Sequence, residues 1–575
     1  MKKLWKYLLC IAILGMTACN EKNDEPTPPP ADIPIDFLPE FDYAIAEWNG
    51  EKATDAALDI PGNDAGIYYE ANTFSHKVTI TYDGANAVVE SSNSNIISHI
   101  EGAYVTIDML TNLVSDVEII LQGETTDGAL KVYGKSKYKL TLNGVNIESQ
   151  RGAAINNQCK KAVFVHIADG TTNTLTDAQE YTDDTYYINP SAEEDRKACF
   201  FSEGNMLFSG TGILKIASRY NHALATDDFL NIRPGVTLVI TEAAKNGIQV
   251  KGDAKANLGI NIMGGLIYAN IASTAGKAIK CDLGVNILGG QLLLNVSGNS
   301  EYDSAENDTS SAACIKTDTN LSISGGKHTL KSTGTGGKGI NTDGAITING
   351  GETSVSTSGS EYIYSSTLSS SPKAIKADGN ITINSGTFNI SASSNSDGAE
   401  GLDCGGTLFI NGGETFVHAY DDAVKVSTDI AISGGKIYAY SQTKDGIDTN
   451  GSFIISDGTA VGIGSGNRRS GINASESSQF IINGGNVISL GGMLQVQSPT
   501  SLQDGTTCKN ITAKAGETLS IVADSDKQTI LSLQLPRDIN KEVILFSTPK
   551  VSKTNTYTPQ TSTSTTDTWC GIDTY

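Results

Sequence analysis

Glu400, Asp422 and Asp445 stand at intervals of 22 and 23 residues, and Asp403, Lys425 and Asp448 repeat those intervals three positions later. If the intervals are turns of one stacked structure, equivalent residues lie about 4.8 Å apart, one above another. Carboxylates stacked so closely repel unless a cation joins them, and hard oxygen donors suit Ca2+. Asp397 and Asp421 add oxygens beside the row. The expected metal ligands are therefore Asp397, Glu400, Asp403, Asp421, Asp422, Asp445 and Asp448, with Ca2+ as the cofactor. The same residues would also suit a solvated acidic face, because Asp favours turns for backbone reasons.

A second acidic row, Asp282, Asp318, Asp343 and Asp378, has Lys280, Lys316 and Lys376 two residues before three of its members. Interleaved opposite charges need no metal, so this row is expected to be structural. Aromatic residues align by the same intervals: Phe416 with Tyr438, and His418 with Tyr440. Side by side and outward, they would offer flat apolar faces to sugar C–H groups while their polar edges stay wet, unless the C-terminal segment or an insertion covers this strand. Tyr302, Tyr362 and Tyr364, on two longer segments, could extend that surface.

What positions these residues is an internal repeat. A glycine corner after an apolar doublet recurs at Gly265, Gly290, Gly326, Gly351, Gly386, Gly413, Gly435, Gly458 and Gly485, with 22 residues as the shortest interval. Between corners runs a second motif, as in KAIKCD from Lys277, KAIKAD from Lys373, EGLDCG from Glu400, DAVKVS from Asp422 and DGIDTN from Asp445. Its second and third residues, small then Ile, Leu or Val, are expected inward, and its first, fourth and sixth outward. Each unit holds three short runs of period two, the period of strands. One unit cannot bury its own apolar face, so stacking must do it. A parallel β-helix is the reading. A propeller needs blades of about 40 residues, and a leucine-rich array needs a leucine consensus; neither fits. Most of the glycine excess, 60 among 575 residues, marks the corners, where positive φ is required. A net charge of −23 argues against nucleic acid as partner. The histidines form no HxxxH pair, which leaves zinc without support.

The N-terminus reads as an export signal: Lys2, Lys3 and Lys6, then the apolar run Leu8–Leu14, then Met16-Thr17-Ala18-Cys19. Cys19 after small residues resembles a lipobox, with Cys19 the lipidated residue, and the acidic stretch that follows resembles Bacteroidetes surface lipoproteins. The expected location is the outer membrane, lipid-anchored and facing the cell surface. Of the other cysteines, Cys281 and Cys404 fall on inward positions and read as buried thiols, while Cys508 and Cys570 are candidates for one bridge. The expected organisation is a signal peptide over 1–19, a flexible tether over 20–36, a β-rich N-terminal cap with first coils over 37–150, the β-helix over 151–490, and a C-terminal β cap over 491–575.

The run LTLNGVNIESQRGAAINNQCKKAVFVHIADGTTNTLTD, from Leu140 to Asp177, followed by the GI-D and I-GG coils, resembles bacterial carbohydrate-binding domain proteins. That resemblance covers about residues 65–556. It implies a right-handed, pectate-lyase-like parallel β-helix, Ca2+ on the helix, and an acidic or plant-wall polysaccharide as ligand without established lyase activity. The expected function is thus non-catalytic polysaccharide binding at the cell surface. The enzymatic alternative is β-elimination of a uronate, with Lys425 as the base. Its difficulty is that Asp403 and Asp448 should keep Lys425 protonated, and Arg468 and Arg469 lie two turns on. The third alternative is an adhesin with a protein ligand.

Overall fold

A computed structural model describes residues 69–563 except 183–186, 189–193, 467, 476–477, 493–500, 504–505 and 551–555, and also 573–574. The signal peptide, Cys19, the tether and Cys570 lie outside the described residues.

Apart from one 3-10 turn, Tyr69–Ala71, all regular structure among the described residues is strand. The coil from residue 402 shows the plan. Leu402–Cys404, Leu408–Ile410 and Glu414–Ala419 are its three strands, and each pairs in parallel with its equivalent in the next coil: Val424–Val426, Ile430–Ile432 and Lys436–Ser441. Three parallel ladders result, and the first forms a 15-stranded sheet. The other two join through the long strand Tyr138–Glu148, which pairs with Val163–Ile167 at one end and Thr172–Thr176 at the other. The chain is therefore an all-β, parallel-stranded solenoid. Parallel pairing of the first ladder is already present between Ala103–Asp108 and Gly128–Tyr133.

The interior follows from alternation. Three-residue strands such as Leu402–Cys404 and Leu408–Ile410 bury their outer two residues and leave the middle one half-exposed. Stacked Ile, Leu and Val then form one continuous core. The small and apolar pair of the second motif is buried in every coil quoted above, from Ala278-Ile279 to Ile447. Cys281 and Cys404 are buried free thiols as expected, whereas Cys508 is exposed. All nine corner glycines have positive φ, between 69° and 95°.

The last coil ends differently. Asn486–Gly491 pairs antiparallel with Ile539–Ser547, which pairs antiparallel with Thr507–Ala513. Thr518–Ala523, Thr529–Gln534 and Tyr557–Ser562 form a further antiparallel sheet. Their apolar residues build a second core with Tyr438, Val461, Ile463, Ile488 and Leu490.

Candidate functional site

The carboxylate row lies at the corner entering the first ladder, and it is not outward. Glu400 is 2% exposed, and Asp421, Asp422 and Asp445 are buried as well. The expectation that the motif's first position faces solvent is thus corrected: it precedes the strand, so strand alternation does not govern it, and neighbouring turns close over it. The fourth position, Asp403, Lys425 and Asp448, is half-exposed on the strand's outer face.

Glu400, Asp421 and Asp422 bring carboxylate oxygens within 4.8 Å of one another. Asp445 joins them by donating its backbone N–H to Asp422 Oδ1 at 2.9 Å. Asp397 is exposed and outside that group. Lysines reach in from both sides. Lys373 bonds Glu400 and, at 2.6 Å, Asp403, while Lys425 bonds Glu400 Oε1 at 2.7 Å. Lys444 lies 3.5 Å from Asp421, and Arg469 lies 3.2 Å from Asp445. Six carboxylates, counting Asp403 and Asp448, thus meet four cations, an excess of two negative charges.

The strain of that excess falls on Asp422. Burial first, then the charges of Asp448, Asp421 and Asp445, push its carboxyl up to about 7, against one backbone N–H that opposes them. Asp445 is also raised, by burial and then Asp448, although the Ser470 N–H and Arg469 counter it. Burial would raise Asp421 too, but the backbone N–H groups of Gly398 and Asp422 bond it and hold it below its ordinary value. Partial burial alone would lower Lys425; the bonded Glu400, with Asp422 and Asp421, instead pushes it well above the usual lysine range. Lys425 is therefore held cationic and is a poor general base. The groups responsible are Glu400, Asp422 and Asp421, where Asp403 and Asp448 were expected.

On the aromatic strand it is the covered alternative that the structure shows. Phe416 does lie beside Tyr438, and His418 stacks on Tyr440 at 5.0 Å. Tyr438, however, is only 3% exposed, and Phe416 and Tyr440 pack against the C-terminal core. Phe416, Tyr438 and Tyr440 are thus covered by strands from about a hundred residues downstream, whereas His418 stays half-exposed. The second acidic row behaves as foreseen: Lys280 bridges Asp282 and Asp318 at 2.5 and 3.2 Å, and Lys316 bridges Asp318 and Asp343 at 3.2 and 2.5 Å.

Two features escaped the sequence reading. One is a compensated cluster, Asp195, Glu203 and Asp227, with Lys197 2.7 Å from both aspartates. The other is the basic half of the first-position column, which reads Lys277, Ala313, Lys338 and Lys373 before it turns acidic at Glu400. Reading that column from its beginning would have found it. Lys338 is 6% exposed and bonds two hydroxyls, Ser311 Oγ at 2.6 Å and Ser370 Oγ at 2.7 Å. Burial pulls it down to about 7, helped by Lys373, Lys376 and Lys277 against Asp403. Because the folded value lies below the unfolded one, the relative stability of this coil is greatest above the ordinary lysine range and is lost as pH falls through about 7. Lys338→Met should remove that dependence. Hydrogen exchange of the Ile340 amide between pH 6 and 9 would check it, and an unchanged pH slope in the variant would refute the assignment.

These features define a parallel β-solenoid with a charged corner column. Residues 101–259, 237–361 and 364–444, together more than half of the chain, match the family described as carbohydrate-binding domain-containing protein, and the chain belongs to that family. A curated relative, a carbohydrate-binding domain-containing protein of Acetivibrio thermocellus, is 30% identical over 115 residues, which is 20% of this chain and 38% of the relative. The match thus spans well under half of that relative's length. Among solved structures, a polysaccharide lyase-like protein from C. thermocellum aligns over 48% of this chain and 93% of its own, at 22% identity and a TM-score of 0.29.

Proposed function

We propose that this protein is a non-catalytic carbohydrate-binding lipoprotein whose buried carboxylate row holds Ca2+ and through it an acidic polysaccharide. The observation that carries the calcium reading is the excess of two negative charges when Asp403 and Asp448 are counted with Glu400, Asp421, Asp422 and Asp445 and all six are ionised. The donors suit the ion: they are hard oxygens, and Asp422 Oδ2 accepts no hydrogen bond among the described contacts. The bound cation would supply a positive charge to an anionic sugar. The chain's own residues would do the rest, with Asp421 and Asp422 fixed by backbone N–H groups and Lys373 and Lys425 restraining Glu400. In this reading the solenoid is right-handed, its first coils and N-terminal cap occupy 37–150, and its C-terminal cap occupies 491–575. Lipid on Cys19 and the tether 20–36 hold it at the outer membrane surface.

The test uses the lipid-free protein and polygalacturonate, with CaCl2 or with chelator. Pull-down that requires Ca2+, with no rise in the absorbance of unsaturated products, supports the proposal. Rising absorbance would establish a lyase instead. Absence of binding in both conditions would leave the adhesin as the better account.

A further inference from the structure

We propose a second sugar-binding site, on a wing formed by two surface hairpins, that takes a neutral polysaccharide without a cation. It rests on the family's carbohydrate binding and not on the calcium row.

The wing is built from the two long intervals of the repeat. One hairpin pairs Glu301–Asp303 with Asp308–Ser310, and the other pairs Tyr362–Ser365 with Leu368–Ser370. They leave the solenoid two coils apart, and the coil between them carries a glycine-rich turn, Gly334, Gly336 and Gly337. That turn makes room for them: a Cβ on Gly336 would lie 2.8 Å from Tyr362 Cβ and 2.5 Å from Ser300 Oγ. Across the gap, the rings of Tyr302 and Tyr364 stack at 4.0 Å and 5°. The hairpins therefore form one unit.

Their feet are fixed from below. Lys277 Nζ donates to Ser310 Oγ at 2.9 Å, and Lys338 bonds Ser311 and Ser370, which lie 2.9 Å apart. One foot of each hairpin is thus tied to the same buried amine. A surface held this way loses little freedom on binding.

The outer surface has the chemistry of sugar recognition. Ile363 is 68% exposed and Tyr364 is 52% exposed, two of the six large exposed hydrophobic residues among those described. An aromatic face accepts the C–H face of a pyranose. The two hairpins and the residue entering the second carry Glu301, Asp303, Glu306, Asp308 and Glu361, and neither hairpin carries a lysine or arginine. Carboxylates accept hydrogen bonds from neighbouring sugar hydroxyls, and such bonds to a charged acceptor are strong. The five carboxylates outnumber the two lysines at the feet, Lys277 and Lys338, and their excess negative charge repels uronate, sulfate and anionic lipid alike. The ligand this surface fits is an uncharged hexose or pentose chain.

Affinity electrophoresis of the lipid-free chain in EDTA, through gels containing galactomannan, hydroxyethyl cellulose, arabinoxylan or polygalacturonate, tests the site. Wild type should be retarded by at least one neutral polymer and not by polygalacturonate. Tyr364→Ala and Ile363→Ser should each lose about tenfold in affinity with an unchanged melting temperature. Asp422→Asn should bind the neutral polymer normally, so failure of the calcium reading would leave this result standing. Retardation by none of the neutral polymers, or equal retardation of Tyr364→Ala, would overturn the proposal. Capture of a protein with no glycan binding would do so as well.

Discussion

In EDTA at pH 8, Asp422→Asn should melt above the wild type, and millimolar CaCl2 should reverse the order. The first half follows from linkage. The Asp422 carboxyl sits at about 7 in the fold and near 3.8 when unfolded, so its contribution is fully favourable below 3.8 and is lost as pH rises through about 7. At pH 8 the folded chain carries a charge that its surroundings resist, at a cost of about 4 kcal/mol as an upper limit. Asparagine keeps the oxygen that accepts the Asp445 N–H and removes the charge. The second half follows from mass action, since an ion at a hundred times its dissociation constant adds about 2.7 kcal/mol to the state that binds it. Asp445→Asn should gain less in EDTA, because it strands Arg469. Thermal melts at pH 5 and pH 8, with and without Ca2+, measure all of this. A wild type indifferent to Ca2+ would remove the metal from the row, and a variant that melts lower in EDTA would show that the row is already balanced.

What could be read in the sequence was whatever depends on neighbours in one coil or the next. The positive φ of Gly413 or Gly435 is a local requirement, and the glycine pattern reported it. Lys280 and Lys316 find the aspartates of the row because parallel register places equivalent residues together. Tyr438 misled because period two says only that a residue points away from the solenoid's own core. It cannot say that Ile544 and Phe546 will return to form a second core there. Glu400, Asp422 and Asp445 misled for a different reason: a corner residue has no alternation to follow, and its burial depends on how adjacent turns close. The same limit hid the wing, since the stacking of Tyr302 on Tyr364 joins insertions 62 residues apart that share no repeat position.

Gly334→Ala should be among the most damaging single-methyl changes in the chain, costing about 3 kcal/mol or more, although its φ is not positive. The reason is the stack. A Cβ on Gly334 would sit 1.8 Å from the carbonyl oxygen of Gly298, and a Cβ on Gly359 equally close to that of Gly334. The clash is with backbone, which cannot swing aside as a side chain can. Coil separation is held nearby by the Thr333 N–H to Val296 bond at 2.9 Å and the Ser358 N–H to Ser332 bond at 3.1 Å. Relieving the clash must therefore stretch ladder hydrogen bonds on both sides. Gly144→Ala provides the contrast, because its φ is +73° but nothing lies within 4 Å of the added methyl. Only the left-handed backbone resists there, at about 1 kcal/mol. Thermal melts of the two variants separate the roles: a far larger loss for Gly334→Ala establishes close approach between coils as the stricter demand on glycine, and equal losses would return both positions to backbone conformation alone.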